Sequence, residues 1–387
     1  MGRLRLAFAR SDAAGLLSAA LTLILLMLSG CVPPDDEAAL VLEDLAAGGG
    51  DSRLKRRTPH PTRMALEYAI AGRSYRGDLY RSGEQARAGI VLVPGVAERG
   101  KEDPRLVAFA NTLARARFLV LVPELPNLRA LRVRAGDAQG VADAFCYLLA
   151  RQDFPAPGRA GIGAFSYAVG PAVLAALRPE IRDRLDFLLG VGGYYDLERV
   201  VTFATTGYSP DNGQWDRRET NLYGKWVFVL SNVELLSDPE DREAFRIMAR
   251  RKLADPGAAI DDLVVRLTVE GRALLALLEN RDPQRVAALL ADLPAAIRAE
   301  MDALNLSNKD LSRLEARLIL LHGRDDDIIP YTESMSLAAA VPKGRAELFV
   351  IDGLAHVDVR PLGLDQRSLW RAIRILLAER DGRGEHS

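Results

Sequence analysis

Six short apolar runs constrain this chain more than any other feature. They span residues 88–94, 118–123, 160–164, 186–191, 317–322 and 346–351. Each is nearly continuous in Val, Leu, Ile, Ala and Gly instead of alternating apolar with polar. A strand reads that way when both of its faces are covered. Helix-like stretches at 103–117 and 137–151 separate the early runs, and further ones follow at 332–340 and 364–379. Strand alternating with helix predicts an α/β class, with a mostly parallel central sheet and helices on both faces. Ahead of the first run, residues 66–70 and 75–80 predict a hairpin of edge strands.

The alternation stops between residues 197 and 314. Apart from a short apolar run near Trp226 to Leu230 that reads as a strand, this stretch is helical in pattern. Ile260, Leu263, Val264 and Leu267 recur at i, i+3, i+4 and i+7, which gives one apolar helix face. Asp255-Pro256-Gly257 and Asp282-Pro283 punctuate the helices. The segment is expected to be an inserted helical cap. Aromatic residues crowd its start, and Tyr194, Tyr195, Trp215 and Trp226 are expected either to line an apolar pocket or to pack the cap against the core.

Three short motifs carry chemistry. The apolar run at 160–164 leads into Ala164-Phe-Ser166-Tyr-Ala168, with Gly163 and Gly170 close by. A strand-to-helix turn that lifts a serine out of a sheet needs small neighbours, which is the logic of the G-x-S-x-G pattern. Here alanines replace both of the pattern's glycines. The run at 317–322 leads into Gly323-Arg-Asp-Asp326-Asp-Ile-Ile-Pro330, and the last run leads into Gly353-Leu-Ala-His356. Only four histidines exist, His60, His322, His356 and His386, so histidine chemistry has few candidates. Two cysteines, Cys31 and Cys146, can build neither a disulfide framework nor a zinc site; Cys146 sits on the apolar side of its helix and reads as core.

With these motifs, residues from about 64 to 380 resemble an α/β-hydrolase of the serine esterase and dienelactone-hydrolase-like group. In that fold the order is serine, then acid, then histidine. The resemblance implies Ser166 as nucleophile, Asp326 as acid and His356 as base. It implies backbone oxyanion donors at Tyr167 and Val96. Asp196 is an alternative acid, because some relatives place it after the preceding strand. His322 reads as a core or supporting residue. The chemistry fits the residue types: serine needs a base, an imidazole can take and return its proton, and a buried carboxylate orients the ring. The resemblance implies cleavage of a small ester or acyl substrate through an acyl-enzyme, with no cofactor and no metal. A catalytically inactive ligand-binding or scaffold protein, and an acyltransferase using the same three residues, are the alternatives.

The N-terminus reads as a targeting segment. Arg3, Arg5 and Arg10 precede an apolar stretch at 16–28, too short for a comfortable membrane span. Leu28-Ser29-Gly30-Cys31 then resembles a bacterial lipobox, which implies a signal peptide over 1–30 and acylation of Cys31. Val32 in place of aspartate leans toward the outer membrane, facing the periplasm. Residues 31–62, with Pro33-Pro34 and Gly48-Gly49-Gly50, are expected to be a flexible tether. The hydrolase core is then expected at 63–196 and 315–387, and the cap at 197–314. The formal net charge is −1 with both signs interspersed, so nothing indicates a nucleic-acid partner.

Overall fold

The structure is a computed structural model that describes residues 36–211, 213–356, 358–359 and 364–383. The expected signal peptide and Cys31 lie outside the described residues.

The chain begins with helices α1 (Glu37–Ala47) and α2 (Arg53–Arg57). Strands β1 (Thr62–Ile70) and β2 (Arg73–Arg81) follow as a hairpin. Then come β3 (Ala88–Val93), α3 (Pro104–Arg115), β4 (Phe118–Pro123), α4 (Pro126–Arg129), α5 (Asp137–Leu149), β5 (Arg159–Phe165), α6 (Val169–Ala176) and β6 (Phe187–Val191). The next stretch holds α7 (Leu197–Thr206), the small hairpin β7 (Tyr208–Asp211) and β8 (Gln214–Arg217), and α8 (Leu222–Asn232). Helices α9 (Pro239–Ala254), α10 (Asp261–Val264), α11 (Val269–Glu279), α12 (Val286–Ala291) and α13 (Ala295–Leu304) complete it. The sheet resumes with β9 (Arg317–Gly323), α14 (Thr332–Ala340), β10 (Ala346–Ile351), the short β11 (Leu354–Ala355) and β12 (Asp358–Val359), and α15 (Gln366–Arg380).

Eight strands form one sheet in the order β1-β2-β4-β3-β5-β6-β9-β10. β1, β2 and β4 pair antiparallel, and from β4 to β10 every pairing is parallel. Side chains alternate across each strand, so one strand feeds two cores. Val91, Ile162, Leu188 and Leu320 pack on one face with α5 and α6. Ile90, Leu92, Leu189 and Ile319 pack on the other with α1, α3 and α15. This double burial is why the runs are apolar throughout.

The segment between α7 and α13 carries a core of its own, built around Phe245, Met248, Leu274 and Leu277. The run near Trp226 is not a strand: it lies in α8, capped by Asn221, whose side chain accepts the Tyr223 N–H. A short apolar run fits a buried helix face as well as a strand, and here Trp226 and Val229 both enter the helical core.

The tether expected over 31–62 is corrected for residues 36–62. Helix α1 buries Ala38, Leu40 and Val41 in the same core as α15. Asp36 caps α1 and also accepts the Trp370 indole N–H at 2.8 Å. Glu37 pairs with the buried Arg380. Asp44, buried, takes hydroxyl bonds from Ser52 and Thr112 at 2.5 and 2.6 Å. The polar composition is therefore absorbed by specific partners. Every described element lies within residues 37–380.

Candidate active site

Strand β5 ends at Phe165, and the chain turns at once. Ser166 has φ of 57°, in the left-handed region that costs a side-chain-bearing residue about 1–3 kcal/mol. A 3-10 turn over Ser166–Ala168 passes into α6. The neighbours are small for separate reasons. A Cβ on Gly163 would lie 2.7 Å from Leu92 Cδ2, and one on Gly170 would lie 1.9 Å from the Tyr194 hydroxyl. Gly170 thus admits Tyr194, while the strain of the turn is carried by the serine itself.

Strand β9 delivers Asp326 and the loop after β10 delivers His356. The structure brings both to Ser166. His356 Nδ1 lies 2.7 Å from Asp326 Oδ2, and Nε2 lies 2.7 Å from Ser166 Oγ. A carboxylate only accepts, so the proton of the first bond sits on Nδ1. Nε2 then has a lone pair for the serine hydroxyl. Asp325 and Asp327 flank the acid and do not share these bonds. His356 too has positive φ, 51°, held by the tight β11–β12 hairpin. Gly192, at φ 64°, lies beside the pair: a Cβ there would be in ordinary contact, 3.5 Å from both Asp326 Oδ2 and His356 Nδ1.

Asp326 is 1% exposed and fully bonded. Its Oδ1 accepts the N–H groups of Ile328 and Ile329, both at 2.9 Å. Its Oδ2 lies 3.2 Å from His322 Nε2 as well as against His356. Burial pushes this carboxyl up, but the two imidazoles and their hydrogen bonds outweigh that and hold it well below the usual carboxylate range. It stays ionised, ready to balance positive charge on His356. His322 is wholly buried at the end of β9 and reaches Ser334 Oγ at 2.7 Å and the Ile329 carbonyl at 2.9 Å. That carbonyl fixes the proton on Nε2, so His322 braces the loop holding Asp326. The Leu-His-Gly ending of the strand was its sequence signal.

The other candidates fall as follows. Tyr167 follows the serine directly, with its ring buried against Tyr194 at 6.2 Å between centroids. Val96 lies in the loop after β3. That loop runs alongside the serine, since a Cβ on Gly95 would be 3.9 Å from Ser166 Cβ. The Tyr223 hydroxyl of α8 donates to the Val96 carbonyl at 2.8 Å and pins the loop from the cap side; nothing in the sequence linked the two. Asp196 is not with the histidine: it caps α7 through the Glu198 N–H.

The aromatic set divides. Tyr194 lines an apolar cavity of about 50 Å³, with Tyr167, Val201, Ala204, Val227 and Leu304. Tyr195 packs at the edge of the main core and does not line the cavity. Trp226 belongs to the core of the helical segment, and Trp215 is 49% exposed on β8. The expectation that the two tryptophans line an apolar pocket is therefore corrected: one packs inside the helical segment and the other faces solvent.

Glu333, at the start of α14, is fully buried beside this region. Its Oε2 accepts the N–H groups of Tyr195 and Asp196 at 3.0 and 2.6 Å, while Oε1 has no partner. Burial pushes the carboxyl up to about 7, against the pull of those two donors. A carboxyl whose folded pKa is raised stabilises the fold fully below its unfolded range, and the benefit fades as pH rises through 7. Glu333→Gln keeps an acceptor for both N–H groups and removes the buried charge. It is expected to stabilise the protein by roughly 1–3 kcal/mol at pH 8 and hardly at all at pH 4. Thermal melting at the two pH values checks this, and an equal gap at both would contradict it.

No protein-family model matches the sequence, and no curated protein matches it. Solved structures do. A crystal structure at 1.15 Å resolution of a hydrolase candidate from Legionella pneumophila is 12% identical, covers 90% of this chain and 96% of its own, and has a TM-score of 0.56. An alpha/beta hydrolase from Penicillium sp. sh18 is 13% identical, with 83% and 99% covered and a TM-score of 0.48. A dienelactone hydrolase from Anabaena variabilis is 12% identical, with 82% and 96% covered and a TM-score of 0.43. The fold is that of the α/β-hydrolases: a mostly parallel eight-stranded sheet with helices on both faces.

Proposed function

We propose that this chain is a serine hydrolase that cleaves carboxylic esters through an acyl-enzyme, held on the bacterial cell envelope by lipid on Cys31. One observation carries the enzymatic reading: Ser166, strained at φ 57°, stands 2.7 Å from His356 Nε2, and Nδ1 of the same ring stands 2.7 Å from Asp326. A structural serine needs neither the strain nor an oriented base.

The mechanism follows from the bonds. His356 Nε2 takes the Ser166 proton as Oγ attacks the ester carbonyl. Asp326 stabilises the resulting imidazolium. The backbone N–H groups of Tyr167 and Val96 receive the oxyanion, and the N-terminus of α6 favours negative charge there. His356 returns the proton to the leaving alcohol. Water then repeats the cycle on the acyl-enzyme.

The apolar cavity beside Tyr167 supports a pocket for the acyl chain. Ala204→Phe places a ring in that space. It is expected to lower kcat/KM for p-nitrophenyl octanoate about tenfold while leaving the acetate near wild type, the scale of discrimination an apolar pocket supplies. A ratio unchanged between the two esters would remove the cavity from the substrate path. The reading as a whole is tested by turnover of the same ester series by wild type and Ser166→Ala. Hydrolysis by both alike, or by neither, would sink it.

The lipid anchor is supported by the sequence Leu28-Ser29-Gly30-Cys31 after a basic and apolar leader. The outer membrane, facing the periplasm, is the location this reading favours.

A further inference from the structure

Helix α15 buries one face in the core with α1 and turns the other to solvent. Arg367, Arg371 and Arg374 stand at i, i+4 and i+7 on that outer face, and all three are exposed. Among the described residues none of them lies within ion-pair distance of a carboxylate. The acids nearby are engaged elsewhere. Glu37 is taken by Arg380, Asp36 by Trp370, and Glu43 by Arg53. Asp365 feels the charge of Arg367, but its side chain accepts from the Ser368 N–H as the cap of α15. Arg374 lies over the Trp370 ring at 4.9 Å, and Arg371 over the Phe349 ring at 5.7 Å. The result is three exposed guanidinium groups, without a salt bridge among the described residues, around a half-buried tryptophan.

The start of α1 lies at this same place. The Trp370 indole holds Asp36, so the first described residue is fixed on the α15 face. Cys31 lies five residues earlier. Five residues reach at most about 18 Å. A lipid on Cys31 would therefore hold this face close to the bilayer, where a thirty-residue tether would have left it free to swing.

We propose that the arginine face of α15, with Trp370 and the start of α1, docks on an anionic phospholipid surface. The charge complements acidic headgroups, each arginine near such a surface strengthening binding by about a factor of five. Tryptophan suits the boundary between headgroups and acyl chains. The hydrolase is then seated flush on the membrane in one orientation. The seating rests on the reading of Cys31 as lipid-bearing, and the experiment separates the two.

The chain from Val32 onward keeps every described element. It is mixed with vesicles of phosphatidylcholine containing 30% phosphatidylglycerol, or of phosphatidylcholine alone, and sedimented. The expected result is binding only to the anionic vesicles. Binding weakens with added salt and falls on the order of 100-fold in Arg367→Gln/Arg371→Gln/Arg374→Gln. Unchanged melting and ester turnover would show that variant to be folded. Equal binding of wild type and variant, or equal binding to both vesicle types, would overturn the proposal. So would arginine-dependent capture by nucleic acid without vesicle binding, since the partner would then be of another class. In cells, alkyne fatty-acid labelling of the full chain that is lost in Cys31→Ser supports the anchor. Absence of label overturns the anchor and flush seating, while the vesicle result still judges the arginine face on its own.

Discussion

His356→Ala is expected to lower kcat/KM for ester hydrolysis on the order of 10⁵-fold while leaving the fold intact. Without the imidazole, Ser166 has no base within reach, and the free hydroxyl is a weak nucleophile at neutral pH. Ser166→Ala is expected to cost as much, and the double variant no more, because residues that act as a unit are not additive. Ser166→Gly separates structure from chemistry. Glycine occupies φ of 57° without the side-chain penalty, so this variant is expected to be inactive yet about 1 kcal/mol more stable than wild type. Steady-state kinetics and thermal melting read the two effects independently. An inactive but destabilised glycine variant would show that the serine is not carrying strain for the sake of its chemistry.

Asp326→Asn is expected to lower kcat on the order of 10⁴-fold, with KM far less affected. All four groups around this carboxylate present N–H: Ile328, Ile329, His322 and His356. An asparagine amide brings its own N–H₂ into that ring of donors. If the amide turns toward His356, the ring must offer a bare Nδ1, and the proton moves to Nε2, where it blocks the serine. If the amide turns the other way, it meets the two backbone N–H groups. Either way a buried donor is left unpaired, so a stability loss of about 1–3 kcal/mol accompanies the kinetic one. Asp196→Asn, which alters a helix cap and a pairing with Arg199 away from the histidine, is expected to leave kcat within a few-fold of wild type. Equal losses in the two variants would point to general damage in place of a specific acid.

Much of this was legible because it is local. Nearly continuous apolar runs declare a sheet covered on both faces, and the six of them form β3 to β6, β9 and β10. The serine turn, the acid loop and the histidine loop each lie just after such a run, so their meeting at one end of the sheet follows from the parallel pairing. What stayed hidden depends on distant partners. Nothing near Ala38, Leu40 and Val41 announces that α15 will cover them, because Trp370 and Arg380 stand more than 330 residues away. Trp215 and Trp226 lie close in sequence, but the chain turns between them, leaving one in solvent and one in a core. His322 could be placed on a strand from its neighbours. Its contact with Asp326 required the loop to fold back across the strand end.

The account stands or falls on whether Ser166 is an activated nucleophile. A fluorophosphonate probe reacts with a serine whose proton a neighbouring base removes, and peptide mapping by mass spectrometry locates the adduct. One adduct is expected, on Ser166, that disappears in Ser166→Ala and is strongly diminished in His356→Ala. A folded wild-type protein left unlabelled, or labelled elsewhere and unaffected by His356→Ala, would contradict it.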